Sequence, residues 1–160
     1  MKSFRSLEEA SNFIKGIEEE IDLSIPVAYV DGSFNKDTNE YSFGAILLYD
    51  EKMLSFKHKF KEDNFSTYRN VAGEVRGASF IINKAISLGL KEMNLYYDYA
   101  GIENWYSGNW KANNDLTKFY VNFANEAKCK IKVNFVKVKS HSNNKYNDMV
   151  DKLAKEALGL

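Results

Sequence analysis

Two short apolar runs in this chain end on an acid. Ile25-Pro26-Val27-Ala28-Tyr29-Val30 leads into Asp31-Gly32-Ser33, and Lys91 to Tyr97, with Met93, Leu95 and Tyr97 alternating, leads into Asp98. Valine, isoleucine and tyrosine favour strands, Pro26 stands at a strand start where a missing donor costs least, and Gly32 frees the backbone to turn. Both stretches therefore read as strands with a carboxylate at the carboxyl end, which is where open α/β sheets place their chemistry. Two further acids fall in helical patterns: Glu74 in the first turns of Asn70 to Leu88, and Asp151 in Tyr146 to Leu158. If the strands of Asp31 and Asp98 are parallel neighbours, their carboxylates share one sheet edge. Four carboxylates in one cleft repel each other, and divalent cations relieve that repulsion. An all-oxygen set suits Mg²⁺ or Mn²⁺ rather than zinc, and two such ions about 4 Å apart serve in-line displacement at phosphorus. Taken singly, each acid has a plainer reading. Asp31 can be an Asp-Gly turn, Glu74 a favourable first-turn charge, Asp98 a turn or cap, and Asp151 a solvated group beside Lys152 and Lys155. Their joint placement is what points to metal chemistry.

The elements that must position these acids follow from periodicity. Tyr41 to Tyr49 reads as a second strand, Asp50-Glu51 as a hairpin turn, and Met53 to Phe60 as a third strand alternating Leu54, Phe56, His58 and Phe60 against Ser55, Lys57 and Lys59. His58 falls on the apolar side of that alternation and is expected to be a tucked core or an edge histidine, with no role. Val71, Val75, Ala78, Ile82 and Ala85 give the first long helix one apolar face, and Gly89 suits a left-handed cap after it. Tyr99 to Trp110 is aromatic and contains glycine. Asn113 or Asn114 can cap a helix striped by Leu116, Phe119, Tyr120, Phe123 and Ala127, and Ile131 to Val138 is a strand. The loop Ser140 to Lys145 carries His141. The order is β-β-β-α-β-α-α-β-α, and right-handed crossovers make the later strands parallel to the first. The expected fold is α/β, a five-stranded mixed sheet with three antiparallel strands, then two parallel, and helices on both faces.

Residues 1–24 read as an appendage to a single domain over 25–160. Ser6 and Glu9 form a capping-box pattern, Leu7, Ala10, Phe13, Ile14 and Ile17 recur at helical spacing, and Glu18-Glu19-Glu20 reads as a linker. The 160 residues are 44% hydrophobic, enough for one sizeable core. Lys+Arg and Asp+Glu both number 22, which argues against coating nucleic acid by bulk charge. One cysteine, Cys129, forms no internal disulfide or cysteine-rich zinc site and is expected as a small buried or half-buried filler. No signal peptide and no membrane-spanning run is evident, so a cytoplasmic chain without a membrane partner is expected.

Asp31-Gly32-Ser33, Arg69-Asn70-Val71-Ala72-Gly73-Glu74, Tyr97-Asp98, Val138-Lys139-Ser140-His141 and Asn147 through Asp151-Lys152-Leu153-Ala154 together resemble type 1 ribonuclease H, over Val27 to Leu158. The Arg69 to Glu74 wording and Tyr97-Asp98-Tyr99-Ala100-Gly101-Ile102-Glu103-Asn104-Trp105 are similar to bacterial members with an N-terminal, viroplasmin-like hybrid-binding module. Lys2 to Ala10 resembles the last strand and helix of that module, with most of it missing. The resemblance implies an endonuclease cutting the RNA strand of RNA/DNA hybrids with two Mg²⁺ ions (Mn²⁺ as a substitute), acting as a monomer. It implies that Asp31 bridges the ions, that Glu74 and Asp98 bind one, and that Asp151 binds the ion that activates water. It further implies that Glu74 contacts a ribose 2′-hydroxyl, that His141 serves proton transfer or product release, and that Gly32, Ser33, Asn70, Lys139 and Asn147 lie against substrate. Asn35 to Ser42 lacks the glycine-rich hairpin of many relatives, Tyr99 replaces a common serine, and Trp105 to Asn114 is not the long basic protrusion of some members. Two other classes fit the same letters: another polynucleotidyl nuclease of this fold, exonuclease or integrase-like, and a non-catalytic hybrid-binding module.

Overall fold

Strand β3 (Glu40–Tyr49) is buried from Tyr41 to Leu48 on both of its faces, and the rest of the chain is layered around it. A strand covered on both sides must be nearly free of unpaired polar groups. Both hydroxyls inside this run meet that demand: Ser42 donates from Oγ to the carbonyl of Ala154 at 2.5 Å, and Tyr41 donates to Oδ2 of Asp63 at 2.7 Å. The computed structural model describes residues 2–3, 24–138 and 144–160.

β3 pairs antiparallel with β2 (Val27–Asn35) on one side and β4 (Lys52–Phe60) on the other. β5 (Glu92–Tyr97) runs parallel to β2, and β6 (Lys132–Lys137) runs parallel to β5. This is the mixed five-stranded sheet expected from the sequence. A two-residue strand, β1 (Lys2–Ser3), extends it by pairing antiparallel with Lys52 and Met53, giving the order β1-β4-β3-β2-β5-β6. The apolar pattern Leu7 to Ile17 lies outside the described residues. The outer strands carry exposed lysines, Lys57 and Lys59 on β4 and Lys132 and Lys137 on β6.

Helix α1 (Asn70–Ser87) packs on one face through Ala72, Val75, Ala78, Ile82 and Ala85, with α2 (Gly101–Ser107) and α3 (Asp115–Ala127) beside it. Helix α4 (Lys145–Ala157) covers the other face, where Tyr146 and Val150 meet Val27, Tyr29, Ile46 and Leu48. Asn114, one of the two candidate caps, closes a capping box with Thr117 at the start of α3. Gly89 takes the left-handed conformation after α1, at φ 79°.

Both covering helices ride close on the sheet, and glycine is the reason. A Cβ on Gly73 of α1 would land on the carbonyl oxygen of Ser42 and 3.2 Å from Cα of Gly32. On the opposite face a Cβ on Gly44 would lie 2.7 Å from Cβ of Leu153 and 2.8 Å from N of Ala154. Side chains at these positions would lift α1 and α4 off the strands.

Two local expectations are corrected. β2 does not stop at Asp31: its pairing with β3 continues through Gly32, Ser33 and Phe34 to Asn35. Gly32 therefore serves close approach rather than a turn, since a Cβ there would sit 2.6 Å from N and 2.9 Å from Cγ of Glu74. His58 takes the edge position that the sequence left open: it is exposed, its ring 4.6 Å from that of Phe60. Cys129 is exposed too, since α3 has ended before it and the chain is turning towards β6.

Candidate active site

The parallel register of β2 and β5 pairs Val27 with Asn94, Ala28 with Leu95 and Tyr29 with Tyr96. Continued two residues, it sets Asp31 beside Asp98 at the carboxyl end of the pair. Asp31 also lies opposite Gly44 in the antiparallel register, where α4 comes closest and brings Asp151 over the strand. Glu74 arrives from α1, held against Gly32 from the other side. Four acids from four elements thus face one end of the sheet.

Their mutual influence shows in their protonation. Burial pushes the Asp31 carboxyl up from 3.8 to about 7; the backbone N–H of Gly32, 2.9 Å from Oδ1, opposes this, and the nearby charges of Asp151 and Asp98 add to it. Glu74 is held well above the ordinary carboxylate range, first by burial and then by Asp31 and Asp98. It is only 3% exposed, and its Oε2 is buried without a hydrogen-bond partner. A buried acceptor of this kind costs free energy unless something donates or coordinates to it. Asp151 is half-buried, and Lys155, one helical turn on, places Nζ 3.0 Å from Oδ2. That contact raises the Lys155 pKa.

The donor set is all oxygen, crowded and short of positive charge, which fits hard divalent cations. Among the described residues no three His, Cys, Asp or Glu side chains stand together as a ready-made ion cage, although Asp31 and Asp151 are within side-chain hydrogen-bonding reach of each other.

Of the other residues expected here, Gly32 and Ser33 are half-buried beside the acids on β2, and Asn70 is exposed at the first turn of α1. Asn147 is half-buried in the first turn of α4, its N–H bonded to Oδ1 of Asn144. His141 and Lys139 lie outside the described residues. Lys155, read from the sequence only as a neighbour of a solvated Asp151, is its ion-pair partner at i,i+4 spacing. Sequence reasoning missed Asn144, the N-cap of α4, which the rule of a capping side chain before an apolar helical run would have found. Next to Asp98, the rings of Tyr99, Trp105 and Trp110 form a cluster with centroids 5.7 to 6.5 Å apart, and Tyr99 and Trp110 are exposed. A larger apolar groove of about 880 Å³, between β4, α1 and α3, contains none of the acids.

A mixed sheet of this order, helices on both faces and carboxylates at the carboxyl end of its first parallel pair define a nuclease-type α/β fold. The RNase H family matches residues 25–159, and the chain belongs to that family. It is 31% identical over 143 residues to a ribonuclease H of Clostridium botulinum, covering 82% of this chain and 94% of that one. It is 28% identical over 148 residues to a ribonuclease H of Caldanaerobacter subterraneus, covering 81% and 88%. Among solved structures it is similar to RNase H1 of the archaeon Halobacterium salinarum, with TM-score 0.69 and 20% identity over 84% of this chain and 97% of the other. It is also similar to LC11-RNase H1, solved in complex with an RNA/DNA hybrid, with TM-score 0.65 and 14% identity over 83% and 99%. The chain is a ribonuclease H hydrolase.

Proposed function

We propose that the protein is a type 1 ribonuclease H, an endonuclease that hydrolyses the RNA strand of RNA/DNA hybrids at a pair of divalent ions. The observation that carries this reading is the convergence of Asp31, Glu74, Asp98 and Asp151 on one end of the sheet, with Oε2 of Glu74 buried and unpartnered. By the family resemblance Asp31 would be shared between the ions, Glu74 and Asp98 would hold one of them, and Asp151 the other. Mg²⁺ is the expected ion, with Mn²⁺ as a substitute. Such a pair supplies a nucleophilic oxygen at neutral pH and compensates charge at the phosphate.

The rest belongs to the chain's own side chains. Glu74 and Asn70, at the start of α1, face the groove in which the 2′-hydroxyls of a hybrid lie, and contact there is what tells RNA from DNA. Gly32 and Ser33 let the backbone of β2 approach the scissile strand, while Asn147 approaches it from α4 and Lys139, by the family resemblance, would contact it. His141 carries the proton to the departing 3′-oxygen, leaving a 5′-phosphate and a 3′-hydroxyl. The exposed rings of Tyr99 and Trp110 beside Asp98 offer sugar and base faces a stacking surface. Residues 25–160 form the catalytic unit, residues 1–24 an appendage, and the protein acts as a cytoplasmic monomer.

The test is a labelled RNA/DNA hybrid incubated with and without Mg²⁺ beside duplex RNA and duplex DNA. Internal cleavage of the RNA strand, in the hybrid alone and only with Mg²⁺, is expected, and Asp31→Asn or Asp98→Asn should nearly abolish it. Degradation of DNA from its ends would instead indicate a different nuclease of this fold. Binding of the hybrid without cutting would indicate a binding module.

A further inference from the structure

Beneath the acids lies a second layer that ties their elements together. Residues two apart on a strand share a face, so Tyr29 lies below Asp31 and Tyr96 below Asp98. The two rings stack at 4.6 Å with an interplanar angle of 17°. Tyr146 of α4 approaches the same Tyr29 ring at 5.5 Å. Tyr29 is wholly buried, and its hydroxyl accepts a hydrogen bond from Nδ2 of Asn144 at 3.2 Å. Asn144 is itself buried and caps α4, its Oδ1 accepting the N–H groups of Tyr146 at 2.9 Å and Asn147 at 3.1 Å. One amide is thus committed at both ends, its oxygen to the start of the helix that bears Asp151 and its nitrogen to the strand that bears Asp31.

Helix α4 has another hold on the sheet, the Ser42 to Ala154 bond beside Gly44. That contact holds the helix near its C-terminal end, at the tenth of its 13 residues. A rod held at one point can still tilt and roll, and a second point removes that freedom. Asn144 supplies the second point ten residues earlier, a distance of about 15 Å along a helix, and Asp151 lies between the two.

We propose that Tyr29 and Asn144 are positioning residues whose bond sets the tilt and roll of α4, and so where the Asp151 carboxylate meets Asp31 and how tightly the site holds divalent ions. This rests on the function proposed above.

Two variants break the bond from opposite sides. Tyr29→Phe keeps the stacked ring. Asn144→Ser keeps a capping oxygen for α4 but is too short to reach Tyr29. The measurements are calorimetric titration of Mn²⁺ into the full chain without nucleic acid, thermal melting, and hybrid cleavage against Mg²⁺ concentration. Each variant should weaken Mn²⁺ binding about tenfold, in line with losses seen when groups supporting metal ligands are removed. The Mg²⁺ concentration for half-maximal cleavage should rise by the same factor, with the loss recovered at saturating Mg²⁺. The double variant should be no weaker than the worse single one, since both changes break one bond. Unchanged Mn²⁺ binding in both single variants overturns the proposal, even if melting falls, because the bond would then serve folding alone. Losses that multiply in the double variant overturn it as well. If the unaltered chain neither binds Mn²⁺ nor cuts the hybrid, the proposed function fails and takes this role with it; normal binding by the unaltered chain and by both variants removes the joint alone.

Discussion

Replacing Asp31 by asparagine should make the metal-free protein more stable above neutral pH while removing its activity. The folded Asp31 carboxyl keeps its proton up to about pH 7, whereas the same group in the unfolded chain loses it near its ordinary value of 3.8. Between those two points the folded state binds more protons than the unfolded one, so stability falls as pH rises. The loss begins near pH 4 and is complete above pH 7. A shift of that size corresponds to at most about 4 kcal/mol. Because Glu74 titrates against the same neighbours, and Asp31 is partly open to water, about 2 kcal/mol is the expected share. Urea unfolding in the presence of EDTA at pH 5 and pH 8 reads this directly. The unaltered protein should be about 1 kcal/mol less stable at pH 8 than at pH 5, the rest of the loss falling below pH 5, and Asp31→Asn should show a much smaller difference. Added Mg²⁺ should restore the unaltered protein at pH 8, since an ion that binds only the folded state stabilises it, and should do little for the variant. The reasoning fails if Asp31→Asn is less stable than the parent at pH 8 without metal, or if the parent's stability is flat across that range.

Three further changes probe the scaffold. Gly73→Ala places a methyl on the carbonyl of Ser42, and overpacking there should cost about 2–3 kcal/mol, read as a lowered urea midpoint. Arg76→Ala removes a guanidinium lying 4.7, 4.9 and 5.3 Å from the rings of Phe60, Phe65 and Phe119, together with its bond to the Tyr41 hydroxyl and its pairing with Asp63. A loss of about 2 kcal/mol is expected, and Arg76→Lys should recover less than half because an ammonium cannot stack flat. Glu51→Gly should raise the melting temperature, by relieving about 1 kcal/mol of left-handed strain at φ 59° in the hairpin turn; an unchanged or lowered value would count against it.

The carboxyl-end placement of Asp31 and Asp98 was legible because both strands announce themselves by composition and both halt their apolar run on the acid. The parallel relation between them follows from the helix that intervenes. What the letters could not show is that β2 carries on past Gly32. A glycine after an aspartate looks locally like a bend, but β3 presents partners as far as Glu40, opposite Asn35, and the ladder continues because the hydrogen bonds are available. The close seating of Glu74 against Gly32 depends on a tertiary contact between residues forty apart, so its depth of burial was equally hidden. For His58 strict alternation left core and edge both open, because periodicity assigns a face and cannot say whether anything covers that face. For Asn144 the signal was present in the sequence, an asparagine just before an amphipathic helix, but its second partner, Tyr29, is visible only in three dimensions.

The lysines on the two outermost strands bear on how the molecule behaves in a crowd. Lys57 and Lys59 on one flank and Lys132 on the other are paired within the molecule, to Glu156, Glu40 and Glu92. A foreign strand seeking to lengthen the sheet would have to strip water from these ammonium groups and disturb their pairs, with nothing offered in return. Neutral, apolar replacements along both flanks would remove that barrier, and fibrous self-assembly during storage at high concentration is the outcome they invite.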